Sequence, residues 1–233
     1  MLPSSLERIS TAVPDDALVL DIGGWGRPLA RANWVMDLMP YETRGLYGRE
    51  DPAPERFDAS TWIERDICDR QPYPFAEGAV DFVVCSHTLE DIRDPIWVCS
   101  EMNRIAKAGY IEVPSRLEEQ SFGIQGPWVG WGHHRWLIEV SGDGRIEFVF
   151  KHHVMHGRRS DYFPPDFHAS LAAEDRVQTL WWERSFDFGE RVMMSADEVD
   201  PYLADFVARH RGPEPQPKRR GLLRRLTAEP RPG

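Results

Sequence analysis

One stretch constrains the fold of this chain more than any other: Ala17-Leu18-Val19-Leu20-Asp21-Ile22-Gly23-Gly24-Trp25-Gly26. A short apolar run, too brief for a helix, passes through an acid into glycines. That is the pattern of a buried strand ending in a tight turn, where glycine lets the backbone come close to a ligand. In open α/β sheets, ligands bind in the crevice at the carboxyl ends of the strands. The turn at Asp21, Gly23, Gly24 and Gly26 is therefore the expected cofactor site.

The chain beyond repeats the alternation of strand and breaker. Residues 31–38 read as a second strand ending at Asp37. The gap from Asp21 to Asp37 contains Pro28 and is too short for an ordinary helical crossover, so a shortened one is expected. Residues 40–59 read as loop. A third strand is expected at 61–65, ending at Asp66, and a fourth at Asp81-Phe82-Val83-Val84-Cys85-Ser86, apolar throughout as a doubly covered strand should be. Asp94-Pro95 marks a helix start, running to about Ala106, and Tyr110-Ile111-Glu112-Val113 is a fifth strand stopped by Pro114. Strands alternating with helices imply a mainly parallel, Rossmann-like α/β sheet.

After Pro114 the pattern changes. Residues 115–132 read as an ordered Gly- and Trp-rich loop. Gly142-Asp143-Gly144 then joins two alternating strands, a hairpin inserted after strand five. Apolar faces at Trp136, Ile138 and Val140 and at Ile146, Phe148 and Phe150 coincide only if Ser141 pairs with Arg145. That register sets His133 and His134 across from His153 and His152. A helix at about 165–175, strands near 177–183 and 185–193, and a helix at 196–210 complete an expected seven-stranded fold. Residues 1–211 form the expected domain, with 115–153 as an insert and acceptor-side lid. Residues 212–233 are a Pro- and Arg-rich tail expected to be disordered, with six basic against two acidic residues, suited to an acidic partner.

The formal charge of −10 argues against nucleic acid as a partner. Three cysteines without C-x-x-C spacing suggest a reducing compartment, and no signal sequence or membrane-length apolar run is evident. A cytoplasmic protein is expected.

Two cofactor classes use a glycine turn of this kind. A dinucleotide fingerprint needs G-x-G-x-x-G or G-x-G-x-x-A, and Leu29 stands at the last position here. The D-x-G-G-x-G pattern instead resembles the first motif of class I S-adenosylmethionine-dependent methyltransferases of the type 11 kind. Asp66-Ile67-Cys68-Asp69 followed by Tyr73-Pro74-Phe75 is similar to the family's D-x-x-x-L-P-F segment. Residues 81–91 resemble D-x-V-x-x-x-x-x-L-E-H, with Asp91 where histidine is common, and Arg104-Ile105-Ala106-Lys107-Ala108-Gly109 resembles R-x-L-K-P-G-G, one glycine short. The resemblance spans about residues 15–115. Beyond it Gly132-His133-His134-Arg135-Trp136 has a fainter likeness to methyltransferase-like proteins with a G-H-x-x-W hairpin.

The resemblance implies S-adenosylmethionine as cofactor and a small-molecule methyl acceptor. It implies that Asp21 orders the glycine loop and faces the cofactor's amino-acid end, and that Asp37 accepts from the ribose. It further implies that Asp66 accepts from the adenine amino group with the Ile67 amide on the ring, and that Cys85 and Ser86 flank the methylthio centre. For chemistry, His87 and His133 are the candidate bases, suited to proton transfer near neutral pH. Arg116, Glu118 and His134 are candidate substrate contacts. No metal is expected, because no cysteine or carboxylate is placed beside the paired histidines in sequence. The activity expected is methyl transfer to an oxygen or nitrogen of a polar small molecule. The alternative is a methyltransferase-like protein that binds cofactor without catalysis.

Overall fold

The computed structural model describes residues 1–48 and 53–211. In chain order the elements are α1 (Pro3–Ala12), β1 (Val19–Ile22), β2 (Trp34–Asp37), β3 (Trp62–Glu64), β4 (Phe82–Ser86), α2 (Pro95–Ile105) and β5 (Ala108–Pro114). There follow α3 (Arg116–Glu119), β6 (Trp136–Val140), β7 (Arg145–Phe150), α4 (Phe167–Ser170), β8 (Val177–Glu183), β9 (Asp187–Glu190) and α5 (Ala196–His210). The basic tail lies outside the described residues.

The main sheet has the order β3-β2-β1-β4-β5-β8. Its first five strands are parallel and β8 runs antiparallel to β5. The chain builds outward from β1 to β3 and then restarts at β4 on the other side. The turn after β1 thus sits where the strand order reverses, the place such sheets offer to ligands. As the short spacing predicts, residues 23–33 cross from β1 to β2 without a helix.

Every strand of the inner sheet alternates between two cores. Leu20, Ile22, Met36, Val83, Cys85, Ile111 and Val113 face one, together with Val98, Cys99 and Met102 of α2. Val19, Val35, Phe82, Val84 and Tyr110 face the other, with Ile9 of α1 and with Leu29 and Phe57 from the loops. Burial on both faces explains why β4 reads as a continuous apolar run. α2 starts as its sequence requires: the Asp94 carboxylate accepts from the Trp97 amide at 3.0 Å, with Pro95 at the first turn.

The expected seven-stranded sheet is a six-stranded one, because the last strand leaves it. Arg184 takes a left-handed φ of 67°, and Phe186 anchors in the core with its ring 5.0 Å from that of Trp182. This turn sends β9 to pair parallel with β7, making a separate three-stranded sheet β6-β7-β9. The helix expected at 165–175 is the single turn α4, ended by the extended backbone of Leu171. The loop expected at 115–132 begins with α3, whose first turn is capped by Ser115 Oγ accepting from the Glu118 amide at 3.2 Å.

β6 and β7 pair Trp136 with Phe150 and Val140 with Ile146, and the Ser141 amide donates to the Arg145 carbonyl at 2.9 Å. Trp136, Ile138, Ile146 and Phe148 join the core under α2. Leu137 and Val149, on the opposite face, pack with Leu203 of α5. A two-stranded ribbon is marginal alone; here β9 extends the hairpin to three strands and both faces are covered. Phe148 is fully buried against Trp136. Phe148→Ala should cost about 3–5 kcal/mol of stability. Urea unfolding is the measurement, and a loss near zero would mean that the hairpin is not part of the cooperative core.

Candidate cofactor cavity

A cavity of about 800 Å³ opens over the carboxyl ends of the parallel strands. Asp21, Gly23, Gly24 and Gly26 line it after β1, Asp37 at the end of β2, Asp66 and Ile67 after β3, and Ser86 and His87 at the end of β4. Two glycines are obligatory. Gly23 has φ +78°, and a Cβ there would lie 2.1 Å from Thr88 Oγ1; one on Gly24 would lie 2.3 Å from Asp21 Oδ2.

Asp21 is 4% exposed, and its Oδ2 accepts from the Leu29 amide at 2.8 Å. Burial pushes its carboxyl up to about 7; the Leu29 hydrogen bond opposes this and the charge of Asp37 adds to it. Asp37 accepts from the Trp25 amide at 3.0 Å and the Met39 amide at 2.9 Å, so it ties the glycine turn to β2. Burial raises its pKa as well. Asp66 accepts from the Cys68 amide at 2.8 Å and pairs with Arg93 Nη1 at 2.5 Å, a contact no sequence motif suggests. Cys85 is not in the cavity wall. It is fully buried on the face of Val83, under α2, because side chains alternate along β4.

His87 departs most from expectation. Its φ of 52° lies in the left-handed region, and its Nε2 is 3.0 Å from Glu112 Oε1, with Nδ1 3.5 Å from Glu90 Oε1. Both carboxylates are 1% exposed. Burial lowers the imidazole pKa, but its hydrogen bonds to these two carboxylates outweigh that and raise it to about 9. Glu112, which burial would raise, is held at about 2 by His87, the Tyr110 hydroxyl and the Leu2 amide. At neutral pH His87 is therefore an imidazolium, a proton donor and a positive charge rather than a general base.

The proposed substrate residues after β5 do not meet the cavity. Arg116 is buried between the rings of Tyr202 and Phe206 and bonds to Gln120, Glu139 and the Tyr202 carbonyl. Glu118 is buried and accepts from Trp131 Nε1 at 3.0 Å. His134 is 7% exposed with Nδ1 2.5 Å from Glu119 Oε1, while His133 is 56% exposed. His152 and His153 stack on each other at 4.4 Å, in the 3-10 turn that follows β7. The part of the wall beyond the β4 end is made instead by His87, Asp91, Trp131 and Arg135. The departure at Asp91 from the family pattern was the available signal for one of them. Gly123, Gly126 and Gly130 have positive φ, and a Cβ on Gly130 would also lie 2.5 Å from the Glu119 carbonyl, so at Gly130 the close packing as well as the turn requires glycine.

The His87–acid cluster carries a pH signature. Because folding raises this pKa from 6.5 to about 9, the pairing adds stability that is complete below the lower value and is lost as pH rises through the higher one. NMR titration of the His87 ring should give a midpoint well above that of an ordinary histidine. Glu112→Gln should bring it down. A wild-type midpoint near 6.5 would contradict the ion pair.

A model of the methyltransferase domain family matches residues 36–111. The match starts within β2 and ends within β5, so the glycine turn precedes it. No curated protein matches. Among solved structures, a putative methyltransferase from Bacillus halodurans is 19% identical, over 48% of this chain and 50% of its own, with a TM-score of 0.36. The putative methyltransferase of Haloferax volcanii, solved with the Trm112 activator, is 20% identical over 48% and 50% with the same TM-score of 0.36. A Haemonchus contortus phosphoethanolamine N-methyltransferase, solved with S-adenosylhomocysteine, is 18% identical over 47% and 27%, with a TM-score of 0.34. The matched region thus spans about half the length of the first two. On sequence, residues 36–111, about a third of this chain, are similar to a methyltransferase domain.

Proposed function

We propose that this protein transfers a methyl group to an oxygen or nitrogen of a small polar molecule. The observation that carries this reading is the continuity of one cavity. Its wall runs from the glycine turn and Asp37 to the polar cluster of His87, Asp91 and Arg135. When bound, S-adenosylmethionine supplies an electrophilic methyl on a sulfonium sulfur. Asp21, Gly23, Gly24 and Gly26 would hold its amino-acid end, Asp37 its ribose, and Asp66 and Ile67 its adenine. Ser86 would lie nearest the reacting centre. Asp21 is poised near neutrality, and a bound ammonium group would favour its ionised form.

On the acceptor side, His87 would orient a polar or anionic group by charge and hydrogen bonding. His133, 56% exposed and 3.9 Å from Asp91, would take the proton released from the acceptor when no ion occupies its ring nitrogen. Much of the rate would come from positioning, as in-line displacement at carbon needs two groups held in register. Trp131, part of the proposed lid at 115–153, would help exclude water. Three free, buried cysteines suit the reducing cytoplasm, where we place the protein. Among the described residues no helix is long and apolar enough to cross a membrane.

The clamping of His87 also favours a second reading, a protein that binds the cofactor without turning it over. Calorimetry with S-adenosylhomocysteine, followed by a screen of polar acceptors for its formation, separates the two. Binding with turnover supports the enzyme; binding without turnover across hydroxyl and amine acceptors supports the scaffold. Asp37→Ala should weaken cofactor binding by about 1–3 kcal/mol through loss of charge-assisted hydrogen bonds. Equal affinity in a folded variant would remove Asp37 from the ribose site.

A further inference from the structure

Three ligating atoms converge at the rim of the cavity without bonding to one another. Asp91 Oδ1 lies 3.8 Å from His134 Nε2 and 3.9 Å from His133 Nε2, beyond hydrogen-bond distance. This oxygen is buried, and among the described residues no hydrogen bond reaches it. Buried polar atoms are rarely left so without a reason. One ligand atom from each of the three residues falls within 4.8 Å of the others. Around a tetrahedral zinc ion with bonds near 2 Å, neighbouring ligand atoms would stand roughly 3.3 Å apart. Small side-chain rotations would close the present triangle onto an ion.

The support behind this triangle is already built. His134 Nδ1 faces Glu119 Oε1 at 2.5 Å, and the second Glu119 oxygen takes Lys151 Nζ at 2.6 Å. A buried carboxylate on one ring nitrogen fixes the tautomer and leaves the other nitrogen's lone pair for a metal, the usual arrangement behind metal-ligating histidines. Glu90 adds a further negative charge next to Asp91, itself 1% exposed and with Oε2 lacking a hydrogen bond. Two imidazoles and one carboxylate, with coordination positions left open, form a donor set for first-row divalent metals. The carboxylate missing from the sequence reading of the histidine cluster is Asp91, supplied by the segment after β4.

We propose that Asp91, His133 and His134 bind a divalent transition-metal ion of the zinc class at the cavity rim. Asp91 is part of the cavity wall, so the ion stands beside the acceptor side. There it would coordinate an acceptor oxygen and favour its deprotonation. That role rests on the methyl-transfer reading above; the binding site does not.

The test uses the full chain, stripped of metal by a chelator. Zn²⁺ is titrated by calorimetry and Co²⁺ by visible absorption, which reports the ligand field. One equivalent should bind. Asp91→Asn and His133→Ala should each lose about tenfold or more in affinity, and Glu119→Gln about 10–100-fold. Thermal melts check folding, and His133→Ala, altering an exposed ring, keeps the test valid if Glu119→Gln does not fold. No stoichiometric binding of either ion to the wild type overturns the site. So does unchanged affinity in both Asp91→Asn and His133→Ala. S-adenosylhomocysteine binding by the wild type, measured on the same samples, reports the cofactor reading separately: retained there with no metal bound, it removes only the metal site.

Discussion

The structure depends on a carboxylate buried at the end of its first strand. Asp21 can sit there only because the chain beside it has no side chain: a Cβ on Gly24 would occupy the space of its Oδ2. Its hydrogen bond to the Leu29 amide then shapes the helix-free crossover into β2. Burying this acid beside Asp37 is costly, as its upward pKa shift records. Such a cost is characteristic of a position kept for binding rather than for stability. A cationic group in the cavity would relieve it.

The opposite part of the cavity follows the same logic with the signs reversed. There buried carboxylates hold histidines in fixed orientations. Glu112 and Glu90 hold His87, and Glu119, itself compensated by Lys151, holds His134. The first cluster keeps its ring protonated. The second leaves Nε2 of its ring 3.8 Å from Asp91, a site open to a ligand. One wall thus carries a fixed positive charge and, beside it, a group of unsatisfied donor atoms.

Much of this was legible in the sequence, for definable reasons. The glycine turn, the doubly buried strands and the capped start of α2 are local patterns, written in periods of two residues or in adjacent residues. The hairpin register also follows from local facts, the length of the Gly142–Gly144 turn and the alternation around it. Cys85 could have been excluded by the same alternation, since it shares a face with Val83. What was not legible depends on distant pairing. His87 meets Glu112 because β4 and β5 align Ser86 with Glu112, a register that sequence did not supply. Arg116 looked free because its cage comes from Tyr202 and Phe206 of α5. The departure of β9 from the main sheet turns on the backbone at Arg184 and the anchoring of Phe186.

The central claim is that the cavity over the β1 turn holds S-adenosylmethionine. A crystal structure of the protein grown with S-adenosylhomocysteine tests it most directly. The account expects density for the ligand between the Gly23–Gly26 turn and Ile67, with its ribose at Asp37 and its sulfur towards Ser86 and His87. Ligand bound elsewhere, or a cavity left without it at saturating concentration, would contradict the account.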